Sequence, residues 1–208
     1  MSRRPVLIAA IAGACAAAGI AGFAVSELLS SHPTPVRVED RGGSGAALIG
    51  GAFSLTNQFG IRMTEADLLG RFSLIYFGFT HCPDVCPTAL QTMAEALDQL
   101  GPAAGEVTPV FVTIDPERDT AEHLGPYVRH FHERMVGLTG SAEDIARVAR
   151  AYRVYYRRVE SGGSYLMDHS SVVFLMGRDG RFLTHFTHEA TPEAMAEQIR
   201  RRLTPAGS

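Results

Sequence analysis

The stretch Phe72 to Gly78, read FSLIYFG, runs seven residues without a charge and without polar–apolar alternation. A strand with one wet face alternates; a continuous apolar, aromatic and β-branched run is the pattern of a strand buried on both faces. Val107 to Ile114 (VTPVFVTI) and Val172 to Met176 repeat the pattern. Strands of this kind need helices to cover them, which points to a layered α/β fold. The intervening segments supply the cover. Leu90, Met93, Leu97 and Leu100 fall on one helical face, and Gly101-Pro102 ends that helix. Thr120 to His132 reads as a helix bent at Gly125-Pro126, and Ser141, with Asp144 three residues on, caps another that runs to about Tyr152.

Three turns complete the reading. Asn57-Gln58-Phe59-Gly60 folds Ala52 to Met63 into a hairpin. Arg178-Asp179-Gly180 turns the third buried strand into Phe182 to Phe186, and Thr191-Pro192-Glu193 opens a last helix with Met195, Ile199 and Leu203 along one side. Strand, helix, strand, helix, then hairpin and helix is the thioredoxin-like order: an α/β sandwich on a mixed sheet, here preceded by an N-terminal hairpin. In open sheets of this class, functional residues gather beyond the strand ends.

The N-terminus has a separate logic. Arg3 and Arg4 precede an uncharged run from Pro5 to Ser26. At about 1.5 Å per residue that run spans a hydrocarbon core of about 30 Å. A cleaved signal would carry a shorter apolar region, of roughly 7–15 residues. A lipoprotein signal ending at Cys15 is disfavoured by Ala12 three residues before it and by the apolar residues that continue past it. The organisation expected is a cytoplasmic start at 1–4, a single transmembrane helix at 5–26, a Pro-, Gly- and Ser-rich tether at 27–47 and the folded domain at 48–208. The arginine pair marks the cytoplasmic side, so the domain lies across the membrane. The short Arg-bearing start, without a long transit segment, favours a bacterial inner membrane with the domain in the periplasm. The formal net charge of −3 leaves no basic footprint for nucleic acid.

Of the three cysteines, Cys15 lies in the apolar segment, while Cys82 and Cys86 form a close pair. One pair is too few for a disulfide scaffold and reads as metal or redox chemistry. It sits where the strand Phe72–Gly78 gives way, through Phe79-Thr80-His81, to a helix. There, free amide N–H groups and the positive dipole end favour thiolate, which is both metal ligand and redox nucleophile. A disulfide between Cys82 and Cys86 is sterically allowed. Two thiolates leave a soft cation short of ligands, and histidine is the commonest third. Of the eight histidines, His169 stands immediately before the third buried strand. Its loop lies beside the cysteine loop if the two strands are neighbours, whereas His81, next to Cys82, should point away from the pair. Residue logic alone leaves His169 open as a ligand or an ordinary solvated side chain.

The block Tyr76-Phe77-Gly78-Phe79-Thr80-His81-Cys82-Pro83-Asp84-Val85-Cys86-Pro87 resembles the signature of the Sco/SenC copper-chaperone family. Val112 to Thr120 (VTIDPERDT) and Asp168-His169-Ser170 resemble its other two blocks, in order. Phe174 departs from the tyrosine that relatives often carry. The resemblance covers about residues 48–203. It implies that Cys82, Cys86 and His169 are copper ligands, and that the protein delivers copper to the dinuclear centre of cytochrome c oxidase subunit II or reduces that subunit's cysteines before loading. Another copper-donor protein would then be a second partner. The chemistry agrees: thiolates select Cu(I), imidazole suits copper in either state, and a Cys₂His set falls short of the four ligands of structural zinc. Asp115 could add an oxygen to Cu(II), although a turn or capping role before Pro116 is preferred. Asp168 is expected to orient His169 or its loop rather than to bind metal. The rival class is an enzyme, a thiol–disulfide oxidoreductase or peroxidase that uses Cys82 and Cys86 as a redox-active disulfide. Thioredoxins carry a cis-proline before the strand facing the active site, and no proline occurs here between Pro126 and Pro192. Copper binding leads on that ground and on ligand softness. A copper-sensing signalling module is a third class.

Overall fold

A computed structural model describes residues 49–203. The expected anchor at 5–26, the tether at 27–47, Cys15 and His32 lie outside the described residues. Among the described residues, no helix is long and apolar enough to cross a membrane.

The strands are β1 (Ser54–Asn57), β2 (Arg62–Thr64), β3 (Phe72–Gly78), β4 (Val107–Thr113), β5 (Val136–Thr139), β6 (Tyr156–Ser161), β7 (Ser164–His169), β8 (Val173–Met176) and β9 (Phe182–Phe186). The helices are α1 (Val85–Leu100), α2 (Ala121–Phe131), α3 (Ala142–Ala151) and α4 (Pro192–Leu203). Seven of the strands form one mixed sheet in the order β2-β1-β5-β4-β3-β8-β9, with β6 and β7 as a separate hairpin. β3, β4 and β5 run parallel; β1, β8 and β9 pair antiparallel to their neighbours. The fold is mixed α/β, as read from the sequence.

β3 and β4 occupy the middle of the sheet, and all seven residues of β3 are buried. Their side chains alternate. Tyr76 stacks towards Phe111 on the face that carries Cys86 of α1, while Phe77 meets Tyr152 and Phe174 on the opposite face. Helix α1 turns Leu90, Met93, Leu97 and Leu100 inward and ends at Gly101, whose φ of 58° suits glycine alone. Helix α2 holds Pro126 inside it, and Ser141 caps α3 by accepting the Asp144 N–H at 3.1 Å. The N-terminal hairpin and the β8–β9 hairpin form where their turns predict.

Two elements were not expected. Strand β5 is only four residues long, too short to show a period. The hairpin β6–β7 turns on Gly162-Gly163, both at positive φ, which a Gly-Gly dipeptide between Val159 and Tyr165 could have announced. It forms its own two-stranded sheet, mostly exposed, and Arg157, Arg158, Glu160 and Asp168 hide the alternation. His169 is therefore the last residue of a strand, not part of a loop.

Candidate metal centre

Antiparallel pairing of β8 with β3 sets the start of β8, and the segment just before it, beside the end of β3. That register carries His169 to the cysteine loop across 83 residues of chain. The Cys86 Sγ lies 3.5 Å from the His169 Nε2, and one ligand atom from each of Cys82, Cys86 and His169 falls within 4.8 Å of the others. Among the described residues no other group of three or more His, Cys, Asp or Glu side chains converges in this way. Cys86 is fully buried and Cys82 half-buried, and both are free thiols.

Local chemistry fixes each group. Asp84, at the N-cap of α1, makes no side-chain cap bond. The amide of Cys86, one of the unpaired donors of the first turn, instead points at the Cys82 Sγ, 3.4 Å away. Cys82 thus precedes the helix and caps it with sulfur, while Cys86 sits inside the first turn. The Cys82 thiol is lowered to about 4. The hydrogen bond from Cys86 contributes most, followed by His169 and the Asp84 and Cys86 amides, against the opposing cost of burial. Cys86 moves the other way, raised first by its bond to Cys82 and then by burial. The reduced pair is therefore one thiolate and one thiol. Iodoacetamide should modify Cys82 of the metal-free reduced protein at a nearly constant rate between about pH 6 and pH 8. An ordinary thiol with a pKa of about 8.5 would gain more than tenfold over that interval. Peptide mapping of the alkylated residue checks this.

The His169 Nδ1 is 3.1 Å from the Ser170 carbonyl oxygen. A carbonyl only accepts, so Nδ1 carries a proton and Nε2 is the ring atom that faces the sulfurs. The ring is wedged edge-on between Tyr76 and Phe79, with centroids 6.1 and 5.9 Å away. Asp168, expected to orient His169 or its loop, does not reach the ring but pairs across the hairpin that carries it. Its side chain alternates to the other side of β7 and pairs with Arg157 at 3.5 Å. Cys82 and His169 open onto a pocket of about 260 Å³ lined by Phe79, Pro83, Leu166 and Met167, with Cys86 buried behind them.

Two supports were not read from the sequence. Asp119, fully buried, accepts from the Thr80 N–H at 3.0 Å, the Thr80 hydroxyl at 2.5 Å and the Thr113 hydroxyl at 2.7 Å. It straps the cysteine loop to the end of β4. Asp115, weighed as an oxygen ligand, is not in the metal-binding group. Its carboxylate takes the Arg118 Nε and, at 2.9 Å, the Tyr165 hydroxyl. Arg118 also donates to the Tyr165 carbonyl at 3.1 Å. The Tyr165 ring lies between the guanidiniums of Arg118 and Arg158, 3.7 and 3.6 Å from its centroid. This clamp holds the β6–β7 hairpin, and with it His169, against the domain. Tyr165→Ala removes two cation–π contacts and a hydrogen bond to a carboxylate, together about 2 kcal/mol. Amide exchange of residues 156–169 should quicken about tenfold or more while that of β3 and β4 is unchanged, as read by hydrogen exchange with mass spectrometry.

The SCO1/SenC family model matches residues 41–204. The chain belongs to the SCO1/SenC family. It is 43% identical over 166 residues to "Protein SCO1 homolog 1, mitochondrial" of Arabidopsis thaliana, a match covering 79% of this chain and 50% of that one. Against "Protein SCO1 homolog, mitochondrial" of Homo sapiens it is 44% identical over 165 residues, covering 77% and 55%. This SCO1/SenC chain thus spans about half the length of those curated relatives. Among solved structures it resembles Arabidopsis thaliana ScoI with copper bound, with a TM-score of 0.72 and 43% identity over 74% of this chain and 98% of that one. Bradyrhizobium japonicum ScoI with copper bound gives a TM-score of 0.70 and 44% identity over 74% and 98%.

Proposed function

We propose that this protein is a copper metallochaperone that holds the metal through the Cys82 Sγ, the Cys86 Sγ and the His169 Nε2. The convergence of these three donor atoms, from two separate strand ends, within 4.8 Å is the observation that carries the reading. Family membership supports it, as do the copper-bound structures of similar proteins. Two thiolates satisfy Cu(I), and the imidazole extends the set to Cu(II). Three ligands beside an open pocket leave a side from which a partner's ligands can displace the protein's own. Copper is the cargo, and its destination is the dinuclear centre of cytochrome c oxidase subunit II, with a separate protein as donor. The segment 5–26 anchors the chain once across a bacterial inner membrane, with the domain in the periplasm.

A second reading has its own observation. A free dithiol with one cysteine held as thiolate suits thiol–disulfide exchange, so the pair could reduce the cysteines of subunit II before loading. The two roles are compatible in sequence, since the pair must be reduced before it holds Cu(I).

Titration of the soluble domain with Cu(I) and Cu(II), for the parent and for His169→Ala, tests the ligand set. The variant should lose about tenfold or more in Cu(II) affinity and less in Cu(I) affinity, while still forming the Cys82–Cys86 disulfide. Equal Cu(II) affinity in the two proteins would remove His169 from the site. Copper delivery that survives Cys82→Ser, with thiol exchange lost, would favour the reductase.

A further inference from the structure

We propose that the Tyr76 hydroxyl is a positioning group for the metal centre, donating a hydrogen bond to the sulfur of Cys86. This rests on the copper reading above and adds a residue to it. Tyr76 has no solvent exposure, and its hydroxyl oxygen is one of three buried side-chain polar atoms among the described residues without a hydrogen-bond partner. A buried hydroxyl left unpaired is costly, so its neighbours matter.

Gly78 locates them. A methyl placed on Gly78 would lie 2.9 Å from the Cys86 Sγ and 2.9 Å from the Tyr76 Cε1, so the sulfur and the hydroxyl-bearing end of the ring share one small space. The absence of a side chain at Gly78 lets them approach. The polar side chains that bear on the hydroxyl are Cys86, Ser171 and, more distantly, Cys82. Once Cys86 becomes a metal-bound thiolate, its sulfur becomes a good acceptor. Burial pushes the Tyr76 phenol up from its ordinary value, so it stays protonated at neutral pH and is left to donate. The His169 ring, edge-on to Tyr76, closes the same pocket, so sulfur, phenol and imidazole are packed as a unit.

A hydrogen bond to a metal-bound cysteine sulfur draws electron density from it, which tunes both the metal's potential and the sulfur-to-copper charge-transfer energy. Tyr76→Phe deletes the hydroxyl and keeps the ring, so the packing against Phe111 and His169 is retained. With Cu(II) bound, the charge-transfer band of the variant should move to lower energy, and the Cu(II)/Cu(I) potential should move negative relative to the parent. Loss of one such bond should also lower Cu(I) affinity about fivefold. A role in packing alone would lower the unfolding temperature and leave the band in place. Coincident bands and potentials in the two proteins would overturn the proposal. A parent protein with no sulfur-to-copper band at all would instead overturn the copper reading. Should Tyr76→Phe fail to fold, 3-fluorotyrosine placed at position 76, a stronger donor of nearly the same shape, should shift the band to higher energy; an unmoved band would overturn the proposal equally.

Discussion

Cys86→Ser is expected to lower Cu(I) affinity by more than about 100-fold, measured by competition with a colorimetric Cu(I) chelator, while the fold is kept. Loss of groups outside the ligand shell typically costs 10–100-fold in metal affinity, and replacing a ligand itself exceeds that. A hydroxyl is a hard donor, and it does not ionise at neutral pH as a thiol can beside a metal. With it in place, a soft cation is left with one thiolate and one imidazole. Cys86 is fully buried against Gly78, and the smaller serine fits the space without moving Tyr76 or Phe111. Its hydroxyl can still donate to the Cys82 sulfur, so the loop geometry survives and the unfolding temperature should stay within a few degrees of the parent's. Retention of affinity to within tenfold would place the metal elsewhere.

Why this pair was visible in the sequence and its supports were not follows from chain distance. Cys82 and Cys86 are four residues apart, at the end of an uncharged strand, and local pattern finds them. Helix caps such as Ser141 and the turns at Asn57–Gly60 and Arg178–Gly180 are local too, and all formed as read. His169 needed the family resemblance, because nothing within a few residues of it says that β8 pairs with β3. Asp168, expected to orient the ring or its loop, acts on the hairpin and not on the ring: adjacent residues of a strand face opposite sides, so Asp168 meets Arg157 across the hairpin while His169 faces the sulfurs. Strand β5 is too short for a period to register. The β6–β7 hairpin buries little of either face, and hydrophobic pattern is blind to a segment held by Arg118 and Tyr165 from 47 residues apart. Tyr76 sits in plain view inside the strand, where an aromatic reads as core; only the close approach of its ring and the Cys86 sulfur over Gly78 brings its hydroxyl end to a thiol.

Asp119 is the residue whose loss should cost the fold most for the least change in apolar surface. Its carboxylate is fully buried and accepts three hydrogen bonds, two from Thr80 and one from Thr113. Asp119→Ala leaves a backbone N–H and two hydroxyls without that acceptor at the junction of β4 and the cysteine loop. Bonds to a charged acceptor are worth about 1.5–3 kcal/mol each, and stranded donors add desolvation. Some of them will recover water through the opened loop, so a net loss of about 3 kcal/mol is a reasonable expectation. For a domain of this size that lowers the unfolding temperature by about 6–12 °C in a calorimetric scan. Asp119→Asn, which keeps one carbonyl acceptor but turns a donor towards a donor, should fall between the two. The metal centre should respond as well. Thr80 lies two residues before Cys82, and without its strap the cysteine loop loses the geometry that brings its sulfur to the Cys86 amide, so Cu(I) affinity should drop about tenfold even in protein that remains folded. If Asp119→Ala unfolded within about 2 °C of the parent, the three hydrogen bonds would be incidental to the fold, and the cysteine loop would have to be held by the packing of Phe79 alone.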